Sequence, residues 1–171
     1  MSYLIKMTAL GLLMTLSVTS YAQTLKSAVN SEALSKAKIL NAETEKGNKK
    51  IFDDMQDDAY KYKLTYQDIT MKDVDADGIK DAVTLLYYCE ITNCHPTTRT
   101  VDLVVFKGNK KNQFTKLGSA PLGVHGKLKD INNGIINVSA FYYKAEDASC
   151  CPSSEYSRSY AIKNNKLFKV Q

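Results

Sequence analysis

The sequence predicts an α+β single domain, mostly an antiparallel β meander behind an N-terminal helix. Three observations carry this. Leu25, Val29, Ala33, Leu34, Ala37 and Leu40 recur at helical spacing, which places them on one side of a 3.6-residue turn. Residues 82–88 (AVTLLYY) are almost wholly apolar, as in a strand covered on both faces. Asn133-Gly134 and Asn164-Asn165 each separate two apolar runs, and residues that tolerate positive φ close two-residue hairpins. Successive hairpins build a meander, because so short a turn joins only antiparallel neighbours.

The elements follow in order. A basic start ending at Lys6, an uncharged apolar stretch over 7–18 and the small-residue site Ser20-Tyr21-Ala22 form the three-part pattern of a secretory leader. The expectation is cleavage after Ala22 and a periplasmic or secreted product. The apolar stretch is about a dozen residues, short of the roughly 20 that span a bilayer, so no membrane span is expected in the mature chain. No Cys follows the small-residue site, so neither is a lipid anchor.

Residues 23–60 read as a helical segment and linker. The helical spacing covers 25–40, and 41–50 (NAETEKGNKK) is charged and polar with Gly47, as in a solvated loop. Ile51, Phe52, Met55 and Ala59 fit another helical turn or two. Residues 61–171 read as the β-rich domain. Tyr62, Leu64 and Tyr66 alternate with polar residues, and 69–71 extends the run. Further strands are predicted at 101–106 (VDLVVF), 128–131, 135–143, 160–162 and 167–170. The length suits one domain with a real core. Lys and Arg number 23 against 18 acids, a net +5. So mild and scattered an excess, in an exported chain, argues against nucleic acid as a partner.

The most informative stretch is Asp73-Val74-Asp75-Ala76-Asp77-Gly78-Ile79-Lys80-Asp81. Carboxylates at alternate positions can converge on one hard cation. Gly78 permits the sharp turn, the Ile79 carbonyl can add an oxygen, and Asp81 can close the site. The reading is structural Ca²⁺ held by Asp73, Asp75, Asp77, Ile79 and Asp81. An EF-hand is excluded, because the twelfth position is Thr84 and the exit is a strand. The spacing resembles the short calcium loops of dockerin, thrombospondin type 3 and integrin-like propeller repeats. The alternative is an Asp/Gly turn that binds nothing, with Lys72 and Lys80 easing the repulsion among its carboxylates.

All four cysteines lie after the leader, and an even count in an oxidising compartment favours disulfides. Cys89 and Cys94 flank four residues and suit a local bridge. Cys150 and Cys151 are adjacent, so a vicinal bridge competes with crossed pairing to Cys89 and Cys94. Cys89, Cys94, His95 and a later Cys would be the zinc alternative. Cys89-x4-Cys94-His95 is a poor, lengthened version of a haem-attachment motif. A CxxC redox motif is absent.

No catalytic centre is predicted. The only histidines, His95 and His125, sit in turn contexts. No nucleophile elbow, HExxH or phosphate loop occurs. Gly118-Ser119-Ala120-Pro121 lacks the second glycine of an elbow, and Asp53-Asp54 with Asp57-Asp58 read as a solvated face.

From about residue 73 onward, the order of features resembles a group of small bacterial exported proteins and lipoproteins of uncharacterised function. The residues that carry it are the aspartate loop running into 83–88, the strand at 103–106, Leu122-Gly123, Asn133-Gly134, Cys150-Cys151-Pro152 and Arg158-Ser159-Tyr160. The chain departs at Val124-His125-Gly126, where that group tends to have Asp-Arg, and the Cys89–Cys94 pair is an addition. The resemblance implies export and a β-rich fold, and brings no activity or catalytic residue.

Three functions compete. The first is a non-catalytic module that binds another envelope protein or a glycan, with Tyr143, Glu146 and Tyr156 on the loop pinned by Cys150, Cys151 and Pro152. Its narrower form is an inhibitor or immunity protein against an envelope-acting enzyme, an analogy of class alone. The second is a calcium-stabilised envelope structural protein. The third is an enzyme with an unrecognised acid pair.

Overall fold

A computed structural model describes residues 23–47, 61–92 and 94–170. The leader at 1–22 and the apolar turns at 51–60, with Asp53, Asp54, Asp57 and Asp58, lie outside the described residues. One helix, α1 (Leu25–Gly47), precedes eight strands. These are β1 (Tyr62–Lys72), β2 (Asp81–Glu90), β3 (Thr100–Gly108), β4 (Phe114–Pro121), β5 (His125–Asn132), β6 (Ile135–Tyr142), β7 (Ser154–Lys163) and β8 (Lys166–Lys169). They form two antiparallel four-stranded sheets in sequential order, β1-β2-β3-β4 and β5-β6-β7-β8. The fold is therefore α+β, with the expected meander split in two. No helix among the described residues is long and apolar enough to cross a membrane.

Helix α1 is longer than its apolar spacing indicates. Residues 41–47, read from composition as a loop, complete it. Alanine, glutamate and lysine favour a helix even when one side faces water, and only packing distinguishes such a turn from a linker. Here Asn41 supplies the packing: its Oδ1 accepts the Tyr62 N–H at 2.6 Å, docking the helix end on β1.

Three layers result. Ala28, Val29 and Ala33 of α1 pack on Ala82, Leu86, Tyr88, Val104 and Phe106 of the first sheet. The opposite face of that sheet, with Val83, Leu85, Val101, Leu103 and Val105, meets Ile136, Val138, Ala140 and Tyr160 of the second. Strand β2 is consequently buried at every residue, as its unbroken apolar run predicts. Ion pairs fasten the helix at its flanks, Lys36 to Asp102 at 2.9 Å and Glu32 to Lys116 at 2.6 Å. Leu34 is the exception on the expected apolar side, since it is 74% exposed.

Both hairpin signals hold. Asn133-Gly134 (φ 49° and 75°) joins β5 to β6, and Asn164-Asn165 (φ 52° and 55°) joins β7 to β8. Strand β4 was not indicated by the sequence.

Leu103→Ala, between the sheets, should lower unfolding free energy by roughly 2–5 kcal/mol, and Leu34→Ala by less than about 0.5 kcal/mol. Urea denaturation of both variants checks this; similar losses would contradict the layering.

Candidate functional site

The two sites legible in the sequence sit at opposite ends of the sandwich. At one end, residues 73–80 join β1 to β2 through positive-φ Ala76 and Gly78. Asp73 accepts the Asp77 and Gly78 N–H groups at 3.2 and 2.9 Å, and Asp77 accepts the Ile79 N–H at 2.8 Å. Fully buried Asp81 accepts the Val74 N–H at 3.0 Å and the Gly108 N–H at 3.1 Å, so one carboxylate ties the loop to the end of β3. A side chain at Gly108 would collide with the Lys80 carbonyl oxygen, which explains the glycine there.

Of the five expected ligands, Asp73, Asp75 and Asp81 converge, with carboxylate oxygens within 4.8 Å of one another. This cluster can hold a metal ion. Asp77 turns instead to Lys107, at 2.7 Å, and Lys107 also contacts Asp75. Ile79 engages Asp77 through its N–H. The cation that meets these acids thus comes from β3, rather than from the flanking Lys72 and Lys80. Burial opposes the charge on Lys107, but hydrogen bonds to Asp75 and Asp77 hold its pKa above the usual value. The Lys107 hydrogen bond, then the Ile79 N–H, keeps Asp77 below the carboxylate range. Burial pushes Asp81 up despite its two N–H donors. Asp75 Oδ1 is buried without a hydrogen-bond partner.

At the other end, both disulfides are local. Cys89 bridges Cys94 with Cα atoms 5.2 Å apart, and Cys150 bridges Cys151 at 3.8 Å. Neither the crossed pairing nor thiolate zinc ligation is formed. The first bridge closes the exit of β2, where His95 Nδ1 meets Thr97 Oγ1 at 2.9 Å. The second lies in the 143–153 loop, ordered by Asp147, whose Oδ2 accepts the Lys144 and Ser153 N–H groups, each at 2.8 Å. The Tyr143 hydroxyl donates to the Ser149 carbonyl at 2.7 Å. Glu146 is exposed on the same loop. Tyr156 stands half-exposed on β7, edge-on to Tyr142 at 5.8 Å. Tyr143 and Glu146 thus share the pinned loop, while Tyr156 belongs to a neighbouring ring cluster.

Comparison with protein families, curated proteins and solved structures finds no match. The geometry of the chain itself therefore carries the functional argument.

Between the pinned loops lies a cleft of about 320 Å³ walled by Pro96, Arg99, His125, Phe141, Tyr143 and Cys150. Sequence reasoning did not place Arg99 here; His125, expected in a turn leading into a strand, is the first residue of β5. The imidazole packs between Phe141 and Tyr87, with ring centres 5.3 and 6.1 Å away. Burial, then the nearby charges of Arg99 and Lys127, holds its pKa below the usual 6.5. His125 Nδ1 and Arg99 Nε are buried without hydrogen-bond partners. Three separate chain segments build this cleft, so no spacing rule reveals it.

Asp81→Ala would leave the Val74 and Gly108 N–H groups without their acceptor. A buried donor left unsatisfied costs about 1–3 kcal/mol, so a loss of roughly 2–5 kcal/mol is expected in denaturant melts run with chelator. A loss below about 0.5 kcal/mol would show that Asp81 does not anchor the loop.

Proposed function

We propose that the chain is an exported, non-catalytic binding module that recognises an envelope protein or glycan with its disulfide-bonded end. One observation carries this reading: the loop tied back by Cys89–Cys94 and the Asp147-ordered loop that bears Cys150–Cys151 flank a single cleft. Pinned loops on a rigid sheet lose less entropy on binding than free ones. Export rests on the leader pattern, and the resemblance to small bacterial exported proteins agrees with it. The histidines favour binding over catalysis, because His95 is engaged by its own turn and, among the described residues, His125 packs between rings with no hydrogen-bond partner at Nδ1.

The test spares Tyr143, whose hydroxyl holds the loop. Glu146→Ala with Tyr156→Ala should leave the melting temperature nearly unchanged. It should also abolish capture of the partner from cross-linked envelope extract, or co-sedimentation with envelope glycan. Undiminished capture would remove these residues from the recognition surface.

A second reading concerns the opposite end, where the aspartate loop holds a structural Ca²⁺. Its support is an all-carboxylate donor set, which suits a hard cation, and the unsatisfied Asp75 Oδ1. Asp73, Asp75 and Asp81 would hold the ion, and Lys107 would have to leave Asp75. A ligand that binds only the folded state stabilises it by about 2.7 kcal/mol at a hundredfold excess over its dissociation constant. Calcium should therefore raise the melting temperature over that in chelator, and Asp75→Ala should abolish the gain. Lys107→Met should lower stability in chelator and enlarge the gain. If calcium moves neither the parent nor Lys107→Met, the loop is a lysine-closed turn.

A further inference from the structure

The cleft between the pinned loops gathers polar groups that the fold leaves unused. Among the described residues the Arg99 side chain has no hydrogen-bond or ion-pair partner, and its Nε is buried. A guanidinium stays charged at any working pH, and its planar fork matches a carboxylate. His125 brings one further polar atom, Nδ1, also buried and unpaired. Burial and the charge of Arg99 favour its neutral form, which can make one hydrogen bond there without adding charge. No acidic side chain lines the cleft. Arg99 is the one permanently charged side chain in the lining, with the charge of Lys127 felt at His125 from outside it, and a single guanidinium fork pairs with one carboxylate. The remaining wall is apolar, with the rings of Phe141 and Tyr143 beside Pro96 and Cys150. A volume of about 320 Å³ lies at the small end of ligand sites, enough for one ring.

We infer that this cleft takes a small organic carboxylate one ring in size, with its charge on Arg99 and its flat face against Phe141, Tyr143 and the Cys150 wall. The inference rests on the binding-module reading and names what that module recognises. A ring bearing a carboxylate can be an acidic sugar of a glycan or a free aromatic acid, and the probes below separate these sources.

The experiment is an amide-resolved NMR titration of the purified chain with both disulfides intact. The probes are glucuronate and benzoate, with glucose and benzamide as their uncharged counterparts. Saturable shifts are expected at Arg99, His125 and Phe141, with none at residues 73–81. The uncharged counterparts should bind at least about tenfold more weakly, as expected when a charge-assisted hydrogen bond is lost. Arg99→Gln should weaken the acid by a similar factor at unchanged melting temperature, and Arg99→Lys by less. Binding of glucuronate alone identifies a glycan ligand, and of benzoate alone an aromatic acid. The inference is overturned if neither acid shifts these amides, if acid and uncharged probe bind alike, or if Arg99→Gln binds as the parent does. Should Arg99→Gln unfold, the comparison of acid with uncharged probe on the parent decides. A failed titration, with partner capture still lost in the Glu146 and Tyr156 variant, overturns the carboxylate site and leaves the binding module standing.

Discussion

Strand β2 is out of water along its whole length, and the rest of the molecule is arranged to keep it so. Its backbone is satisfied by β1 on one side and β3 on the other. Its side chains alternate between two cores, so a helix must cover one face and a second sheet the other. Within the run Thr84 donates its hydroxyl to the Val104 carbonyl at 2.9 Å and Tyr87 its own to the Gly126 carbonyl at 2.8 Å, which offsets the cost of burying them, whereas the Tyr88 hydroxyl is buried without a partner. A ten-residue strand of this kind is a stiff rod of roughly 30 Å. Polar chemistry is displaced to its ends, where Asp81 enters and Cys89-Glu90 leaves.

Both candidate sites therefore lie at the ends of the same rod, and each is fixed to it by a different bond. At the entry, the Asp81 carboxylate gathers the loop and the last residue of β3 by hydrogen bonds. At the exit, the Cys89 sulfur ties the next loop covalently. The second sheet contributes its own loop at that end, closed by Asp147 across Lys144 and Ser153 and stiffened locally by Cys150–Cys151. Mobile connections are thereby turned into fixed walls on a rigid scaffold, the usual setting for recognition.

The parts legible in the sequence are those governed by local rules. The β2 run, both hairpins and the start of α1 follow from periodicity and turn chemistry. Strand β4 does not, because its Gly118-Ser119-Ala120-Pro121 reads as a turn and, as an edge strand, it carries little apolar alternation. Register along β3 decides the rest. Gly118 stands opposite Val105 and Pro121 opposite Asp102, so β4 is recruited by a strong neighbour rather than by its own propensity. Lys107 was invisible for the same reason: only the pairing of β2 with β3 brings it to a loop some thirty positions earlier. Arg99 required three segments to meet. The aspartate spacing correctly announced a converging carboxylate site, but not which acids would turn away to satisfy a lysine.

Asp81 and Asp147 do the same mechanical work, each holding two backbone N–H groups, yet acid acts on them in opposite senses. Burial raises the pKa of Asp81 above the usual 3.8. The folded chain thus holds that proton more tightly than the unfolded chain does. This contribution is fully present below the usual value and is lost as pH rises through the folded one. At neutral pH Asp81 therefore anchors the loop at the cost of burying its charge, and the Lys107 ammonium offsets part of that cost. Asp147 is only partly covered, and the Lys144 N–H first, then Ser153, lowers its pKa below 3.8. Its contribution is present above the usual value and is lost as pH falls through the lowered one. Acid thus removes the ionic hold on the 143–153 loop while it relieves the buried charge at the opposite end. In acid the Tyr143 hydroxyl on the Ser149 carbonyl and the backbone bonds from Asp147 to Lys144 and from Cys151 to Ala148 still hold the cleft wall, because none of them titrates with a carboxylate.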